Sequence, residues 1–397
     1  MEPRTAAPIA MVAYTRYPWD PRVRREAETL VRRGRSVSVV CARDRGERAE
    51  DSVGGVAVHR VPLTIRRGGP LRYLFQYTAF LLLTMAALRR LRQRHGFAAV
   101  HIHSLPDFLA FAGLGARLRG TPLVLDLHEA MPEIFAARFP RSVLGRWLAV
   151  AAEKVSCLLA TRVIVVNETI RELLVSRGVP AERILVVYNS PDVAAPPGPP
   201  AALPVPTQGR LRLVYAGGVD KERDLATFLR AVSVLRETGP VVLLVYGPGP
   251  PEYRAYLEGL VDGLGLRDSI HFGGVLPPNR VLPHLAHADV GVVTYERNPI
   301  TELVLPNKLF EYVALDRPLV LPRLRAMVRA FGGAAFFYEP GDPRDLAAKI
   351  QAAAGGGPAV AAMRERARAV YEVAQWNVQA QRLASAYAAM GAGAPGE

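Results

Sequence analysis

With 397 residues, half of them apolar, the chain can build two cores rather than one. Its two cysteines cannot make a disulfide framework, and no uninterrupted apolar run reaches the length a spanning helix needs. Of the net charge of +14, eight arginines (Arg60, Arg66, Arg67, Arg72, Arg89, Arg90, Arg92 and Arg94) fall between Asp51 and Asp107 with no acid among them; they match no nucleic-acid-binding motif and suit a membrane surface, a polyanionic acceptor or no specific partner.

Apolar strand-like runs alternate with longer helical patterns from the start. Ile9 to Tyr14 and Ser36 to Cys41 flank a helical stretch, Arg22 to Arg33, which Asp20-Pro21 opens. Arg22 and Arg25 either meet a negative group of a ligand or belong to the helix surface. Val56 to Val61 is the next strand. Leu71 to Arg94 is helical, with an apolar centre from Tyr77 to Leu88 that is too short to span. It reads as a core helix, or as one whose basic face lies on anionic lipid. The strand Ala99 to His103 runs into Ser104-Leu105-Pro106-Asp107, and a helical stretch, Leu109 to Arg119, follows. Leu123 to Leu127 ends on His128 and Glu129. A lone histidine is more often structural, but strand ends are where α/β sheets bind ligands. Leu144 to Leu159 is helical, and strands at Arg162 to Val166 and Ile184 to Val187 complete the first half. Cys41 and Cys157 sit within regular elements and read as small buried residues of a reducing compartment.

Residues 191–209 are too rich in proline for strand or helix and read as a semi-rigid linker. The rhythm restarts at Leu211 to Tyr215. Gly217-Gly218 and Asp220-Lys221-Glu222-Arg223 follow, so backbone N–H groups and a guanidinium meet at a strand end, a combination suited to phosphate. Strands follow at Val241 to Tyr246, Ile270 to Phe272, Val290 to Thr294, Leu319 to Leu321 and Ala335 to Tyr338. Gly247 and Gly249 come after one of them, and Gly274-Val275-Leu276-Pro277 after the next. No G-x-G-x-x-G fingerprint follows any strand, which disfavours a dehydrogenase. In Leu305-Pro306-Asn307-Lys308-Leu309-Phe310-Glu311-Tyr312, Asn307 is expected to cap a helix with Lys308 in its first turn and Glu311 on the same face. Ammonium and N–H groups suit a diphosphate, and the carboxylate suits vicinal hydroxyls; the plain alternative is a capped helix with a surface pair. Trp376 to Met390 is a last helical segment. No Asp-x-Asp occurs, and no Cys/His cluster has ligand spacing, so neither a metal nor a cofactor is expected.

Five of these segments resemble, in order and spacing, the motifs of retaining glycosyltransferases of family 4, which have the GT-B fold. They are Asp20-Pro21-Arg22-Val23-Arg24-Arg25-Glu26-Ala27, His101 to Asp107, Leu125-Asp126-Leu127-His128-Glu129, Tyr215-Ala216-Gly217-Gly218 with Arg223, and Leu305 to Tyr312. The resemblance covers roughly residues 9–390. It implies an α/β protein of two Rossmann-like doubly wound domains facing across a cleft. Residues 1–190 would bind the acceptor, 191–209 link, 210–372 bind a nucleotide sugar, and 373–397 cross back as a helix and tail.

The same resemblance implies roles. Arg223 and Lys308 would neutralise the departing diphosphate, with Gly217, Gly218, Gly247, Asn307 and Glu311 around the donor. The loop at Leu276 would hold the nucleobase through its backbone. His128 would touch donor sugar and acceptor, and Asp20, Arg22, His103, Asp107 and Glu129 would border the acceptor. The family often has a second glutamate eight residues before the one at Glu311. Here that position is Leu303, and Glu302 is one place off, so Glu302 or backbone groups would hold the sugar. With retention, the leaving phosphate itself would take the acceptor's proton. The acceptor class stays open: a small molecule, a glycan or a lipid-linked glycan. Two rivals remain, a sugar-nucleotide epimerase of the same fold and a catalytically silent partner subunit. The N-terminus lacks a signal-peptide pattern, so the expected location is cytoplasmic, with peripheral contact at the inner membrane face through residues 60–94.

Overall fold

The computed structural model describes residues 7–66, 68–191, 203, 205 and 207–391. Most of the proline-rich segment, and Arg67 of the basic stretch, lie outside these residues. The chain divides into two compact units: Met1–Asn189 with Asn377–Glu397, and Ser190–Trp376.

The first unit carries β1 (Ile9–Ala13), β2 (Val37–Ala42), β3 (Glu50–Val53), β4 (Val56–Val61), β5 (Ala99–His103), β6 (Leu123–Leu127), β7 (Arg162–Val165) and β8 (Ile184–Val186). They form one sheet in the order β3-β4-β2-β1-β5-β6-β7-β8, parallel except at β3–β4. Every residue of β1, β2, β5 and β6 is buried, as expected where helices cover both faces of a parallel sheet. The order reverses between β1 and β5, whose carboxyl ends pair Ala13 with His103. That reversal is where an open α/β sheet leaves a crevice. β3 has no apolar pattern; Gly54 and Gly55, at φ 62° and 79°, turn the chain into this edge hairpin.

The helices of this unit are α1 (Pro21–Arg32), α2 (Pro70–His95), α3 (Leu114–Arg117), α4 (Met131–Arg138), α5 (Val143–Leu159) and α6 (Glu168–Ser176). The helix expected over Leu109 to Arg119 is instead a 3-10 segment, Asp107–Gly113, followed by the single turn α3. Gly113 explains part of this. A Cβ there would lie 2.4 Å from Leu123, so close packing on β6 demands a residue that weakens a helix. Another correction concerns α2: residues 71–95 are long and apolar enough, by length and composition, to cross a membrane. Counting uninterrupted apolar residues misses this, because Gln76, Thr78 and Thr84 interrupt the run without making the helix polar.

The second unit holds β9 (Leu211–Ala216), β10 (Val241–Tyr246), β11 (Ile270–Gly274), β12 (Gly291–Val292), β13 (Leu319–Pro322) and β14 (Phe336–Tyr338). Two three-stranded parallel sheets, β11-β10-β9 and β12-β13-β14, meet where Asp289 N donates to Arg212 O at 2.9 Å, just before β12. Its helices are α7 (Leu225–Thr238), α8 (Pro251–Gly263), α9 (Pro278–Leu285), α10 (Asn307–Ala314), α11 (Arg325–Phe331), α12 (Pro343–Ala354) and α13 (Pro358–Ala374). The strand expected over Val290 to Thr294 shrinks to two residues, and Thr294 turns its hydroxyl to Arg223 O at 2.7 Å.

The last helix, α14 (Trp376–Ala389), belongs to the first unit from Asn377 onward. Gln379 accepts from Tyr188 N at 3.0 Å, and the Tyr387 hydroxyl meets His101 Nδ1 at 2.7 Å.

Candidate active site

In the second unit the chemistry gathers where β9 and β12 end. Gly217 follows β9, and a Cβ on it would sit 2.7 Å from Lys308 Nζ. Gly247, at φ 147°, brings its backbone so close to Gly217 that a Cβ would overlap the Gly217 carbonyl. The Tyr215 hydroxyl donates to Gly218 O at 2.6 Å and fixes the turn. Asp220 caps the short turn Lys221–Arg223 by accepting from Arg223 N at 3.2 Å.

Lys308 lies in the first turn of α10, buried, with its ammonium 3.6 Å above the Tyr215 ring. Among the described residues no hydrogen-bond partner reaches its Nζ. Burial first, then the charge of Arg223, holds its pKa well below that of a free lysine, although Glu311 and Asp220 pull the other way. Arg223 stacks on Tyr295 at 4.6 Å, and its Nε lies 3.5 Å from Asp220. Two basic side chains and a glycine turn thus crowd one strand end, with Asp220 paired to Arg223 and, among the described residues, no partner on Lys308 Nζ. A buried cation with no partner is costly, and an anionic ligand would relieve it. Glu311 shares the first turns of α10 with Lys308, and burial raises its pKa. The cap differs from expectation: Pro306 is the N-cap, no side chain bonds the first turn, and Asn307 is already helical.

Beside this turn a cavity of about 290 Å³ is lined by Val219, Gly247, Gly249, Arg254, Phe272 and Val275. Leu276 is not among its lining residues; its neighbour Val275 is. Arg254 lies 5.3 Å over the Phe272 ring and had no motif to announce it. Glu302 spends one oxygen on Arg297, at 3.2 Å, and the other on Arg325 N, at 2.6 Å, while Leu303 is buried.

In the first unit a second pocket, of about 330 Å³, opens at the β1/β5 reversal. Asp20, His103, His128 and Glu129 line it, with Tyr14 and Tyr77. Asp20 also caps α1 by accepting from Arg22 N and Val23 N. Arg22 meets neither of its expected fates. It is buried and grips both oxygens of Asp126, at 2.9 and 2.8 Å, with Glu26 at 3.2 Å. Asp107 does not line the pocket. It is buried, accepts from Ser104 Oγ at 2.8 Å, and burial pushes its pKa up to about 6.

Asp126 is the residue that motif reading left without a role. Although burial opposes its charge, Arg22 and the imidazoles hold it well below the usual carboxylate range. His103 Nδ1 and His128 Nε2 both lie 3.2 Å from its Oδ2, and 3.1 Å from each other. An acid inside an otherwise apolar strand was the available signal. Glu26, His101, His103 and Asp126 each bring one ligand atom within 4.8 Å of the others, a spacing that could hold a metal ion. That position already has a cation, because Arg22 occupies Asp126.

Two α/β units each gather polar groups at the carboxyl ends of their strands, where such sheets bind ligands. Residues 20–190 match the model of the glycosyl transferase 4-like domain, and residues 210–355 that of glycosyl transferases group 1. The chain belongs to the GT-B glycosyltransferases of the family 4-like kind. Sucrose-phosphate synthase from Thermosynechococcus elongatus has a similar fold, with a TM-score of 0.78 at 18% identity over 97% of this chain and 99% of that one. So does an Anabaena protein in complex with UDP and glucose, at 0.70 and 16% over 96% and 100%. An E. coli trehalose-6-phosphate protein bound with UDP-2-fluoro glucose scores 0.73 at 13% over 96% and 99%. No curated protein matches the chain in sequence.

Proposed function

We propose that the chain moves a hexosyl group, with retention and without a metal, from a nucleotide-diphosphate sugar to an acceptor hydroxyl. The observation that carries this reading is the buried, unpartnered Lys308 ammonium beside Arg223 and the Gly217-Gly218 turn. The diphosphate would lie against these two cations, preorganised for the charge that develops on the leaving group. The bond from the anomeric carbon to the diphosphate breaks, and the acceptor oxygen bonds to that carbon on the same face. The acceptor's proton passes to the leaving phosphate oxygen. His128, held by Asp126, would position the reacting groups rather than take the proton. The structural neighbours carrying UDP with glucose or a UDP-sugar analogue favour a uridine donor.

A thermal-shift panel of UDP-, GDP-, ADP- and TDP-sugars tests this, since a ligand of the folded state raises the midpoint. UDP-glucose should shift it most, and turnover should survive chelator. Loss of turnover in chelator with rescue by magnesium or manganese would overturn the metal-free part. A second reading, a silent partner subunit, draws on Leu303 in place of a glutamate and on Glu302 being engaged elsewhere. Nucleotide binding with neither transfer nor release of sugar would favour it.

A further inference from the structure

We propose that the first unit docks on the surface of an anionic lipid bilayer through a face built from α2 and α5. The inference stands apart from the transferase reading. α2 has two apolar sides. Phe80, Leu88 and Leu91 are buried in the unit, while Leu71, Leu74, Phe75, Leu82 and Met85 follow one helical stripe into solvent. Leu71 is 83% and Phe75 70% exposed.

α5 is inverted relative to an ordinary surface helix. Glu153, Ser156 and Cys157 face inward, and Val143, Leu144, Trp147 and Leu148 face outward, with Val143 80% and Trp147 66% exposed. Both helices pack on the same 3-10 segment, Asp107–Gly113. Arg138, at the end of α4 just before α5, acts electrostatically on Tyr77 of α2, which brings the start of α5 to the neighbourhood of α2. Exposed apolar surface of this extent marks an interaction site.

Charge selects the occupant. Arg72, Arg89, Arg90 and Arg94 are exposed on α2, and Arg138, Arg141 and Arg146 are exposed around the start of α5. α2 itself carries no acid. A second copy would set arginines against arginines. An anionic bilayer meets both features: its headgroups pair with the guanidinium groups, and leucine, phenylalanine and tryptophan enter the acyl boundary. The helix lies along the surface rather than across it, because its Phe80–Leu91 side is packed into the unit.

The test is flotation of the full chain with phosphatidylcholine vesicles and with vesicles that also contain phosphatidylglycerol. The chain should float with the anionic vesicles alone and less so at high salt. Leu144→Ser with Trp147→Ser, and separately Leu74→Ser with Phe75→Ser, should each lower the bound fraction roughly tenfold. These side chains are exposed, so an unchanged thermal midpoint and an unchanged shift with UDP-glucose certify the fold and leave the donor reading untouched. Absence of flotation with anionic vesicles overturns the proposal. So does flotation that neither double variant weakens. A dimer in sedimentation that both variants dissociate, without vesicle binding, overturns it in favour of a second copy.

Discussion

Lys308 places its amine where water cannot reach it and, among the described residues, no anion pairs with it. Removing it or Arg223 should slow transfer more than any other single change on that side. Lys308→Ala and Arg223→Ala should each cost about 2 kcal/mol of transition-state stabilisation, roughly 30-fold in kcat/KM; parental rates in both would place the donor elsewhere. The depressed Lys308 pKa sets a pH effect as well. Above its lowered pKa the free protein holds a neutral amine, whereas a bound diphosphate favours the ammonium. Binding must then take up a proton, and affinity must fall as pH rises. Calorimetry at alkaline pH in two buffers of different ionisation enthalpy should reveal that uptake, and Lys308→Met should abolish it. On the acceptor side, His128→Ala should lower kcat while leaving nucleotide affinity near parental; the reverse pattern would put His128 at the nucleotide.

At the scale of elements, α5 rests on a crowded electrostatic floor. Glu133 and Glu153 share the guanidinium of Arg177, at 2.5 Å and 2.6 Å, and Asp107 beside them feels its charge without a bond to it. Burial raises Asp107 to about 6 and Glu153 to about 7. A raised carboxyl pKa means that the folded state holds its proton longer than the unfolded chain does. Stability is therefore lost as pH climbs from near 4 to near 6 for Asp107 and on to near 7 for Glu153, and the cost is fully present above that. Asp107→Asn keeps the shape and removes the charge. At pH 8 it should stabilise by on the order of 1–3 kcal/mol, and the gain should vanish near pH 4. Melting curves at both values decide it; a lower midpoint at pH 8 would mean that the charge is wanted.

Elements also show what the sequence could reveal. The parallel strands were legible because β1, β2, β5 and β6 are buried on both sides and read as apolar runs. β3 was not, since its stability comes from pairing with β4 rather than from burial. That Lys308, Arg223 and the Gly217 turn come together was legible because a glycine turn and basic residues each follow a strand end. The Arg22–Asp126 pair joins residues 104 positions apart, and no local pattern records it. Arg254 entered its cavity by the same kind of long-range folding, and the outward stripe of α5 is invisible until the inward Glu153 is known.

For the molecule as a whole, the first unit is discontinuous in sequence, with residues 190–376 lying between its two parts. Ser190 Oγ donates to the Ala374 carbonyl, so the two ends of that insertion are adjacent. The segment 1–189 made alone should fail to fold, because Tyr387 and Gln379 would be missing from His101 and Tyr188. The same segment joined by a short linker to 377–397 should fold, and 190–376 made alone should fold and bind UDP-glucose. Circular dichroism and heteronuclear spectra of the three fragments check this. An ordered spectrum from 1–189 would show that α14 is dispensable. The order of synthesis then carries a cost. On a translating ribosome the first unit emerges early yet cannot finish until its last helix leaves the exit tunnel, so the later-made unit completes first. During that interval the buried Arg22–Asp126 pair and His101 beside it lack the helix that carries Tyr387. A nascent chain stalled before Trp376 should therefore depend on chaperones in a way the released protein does not.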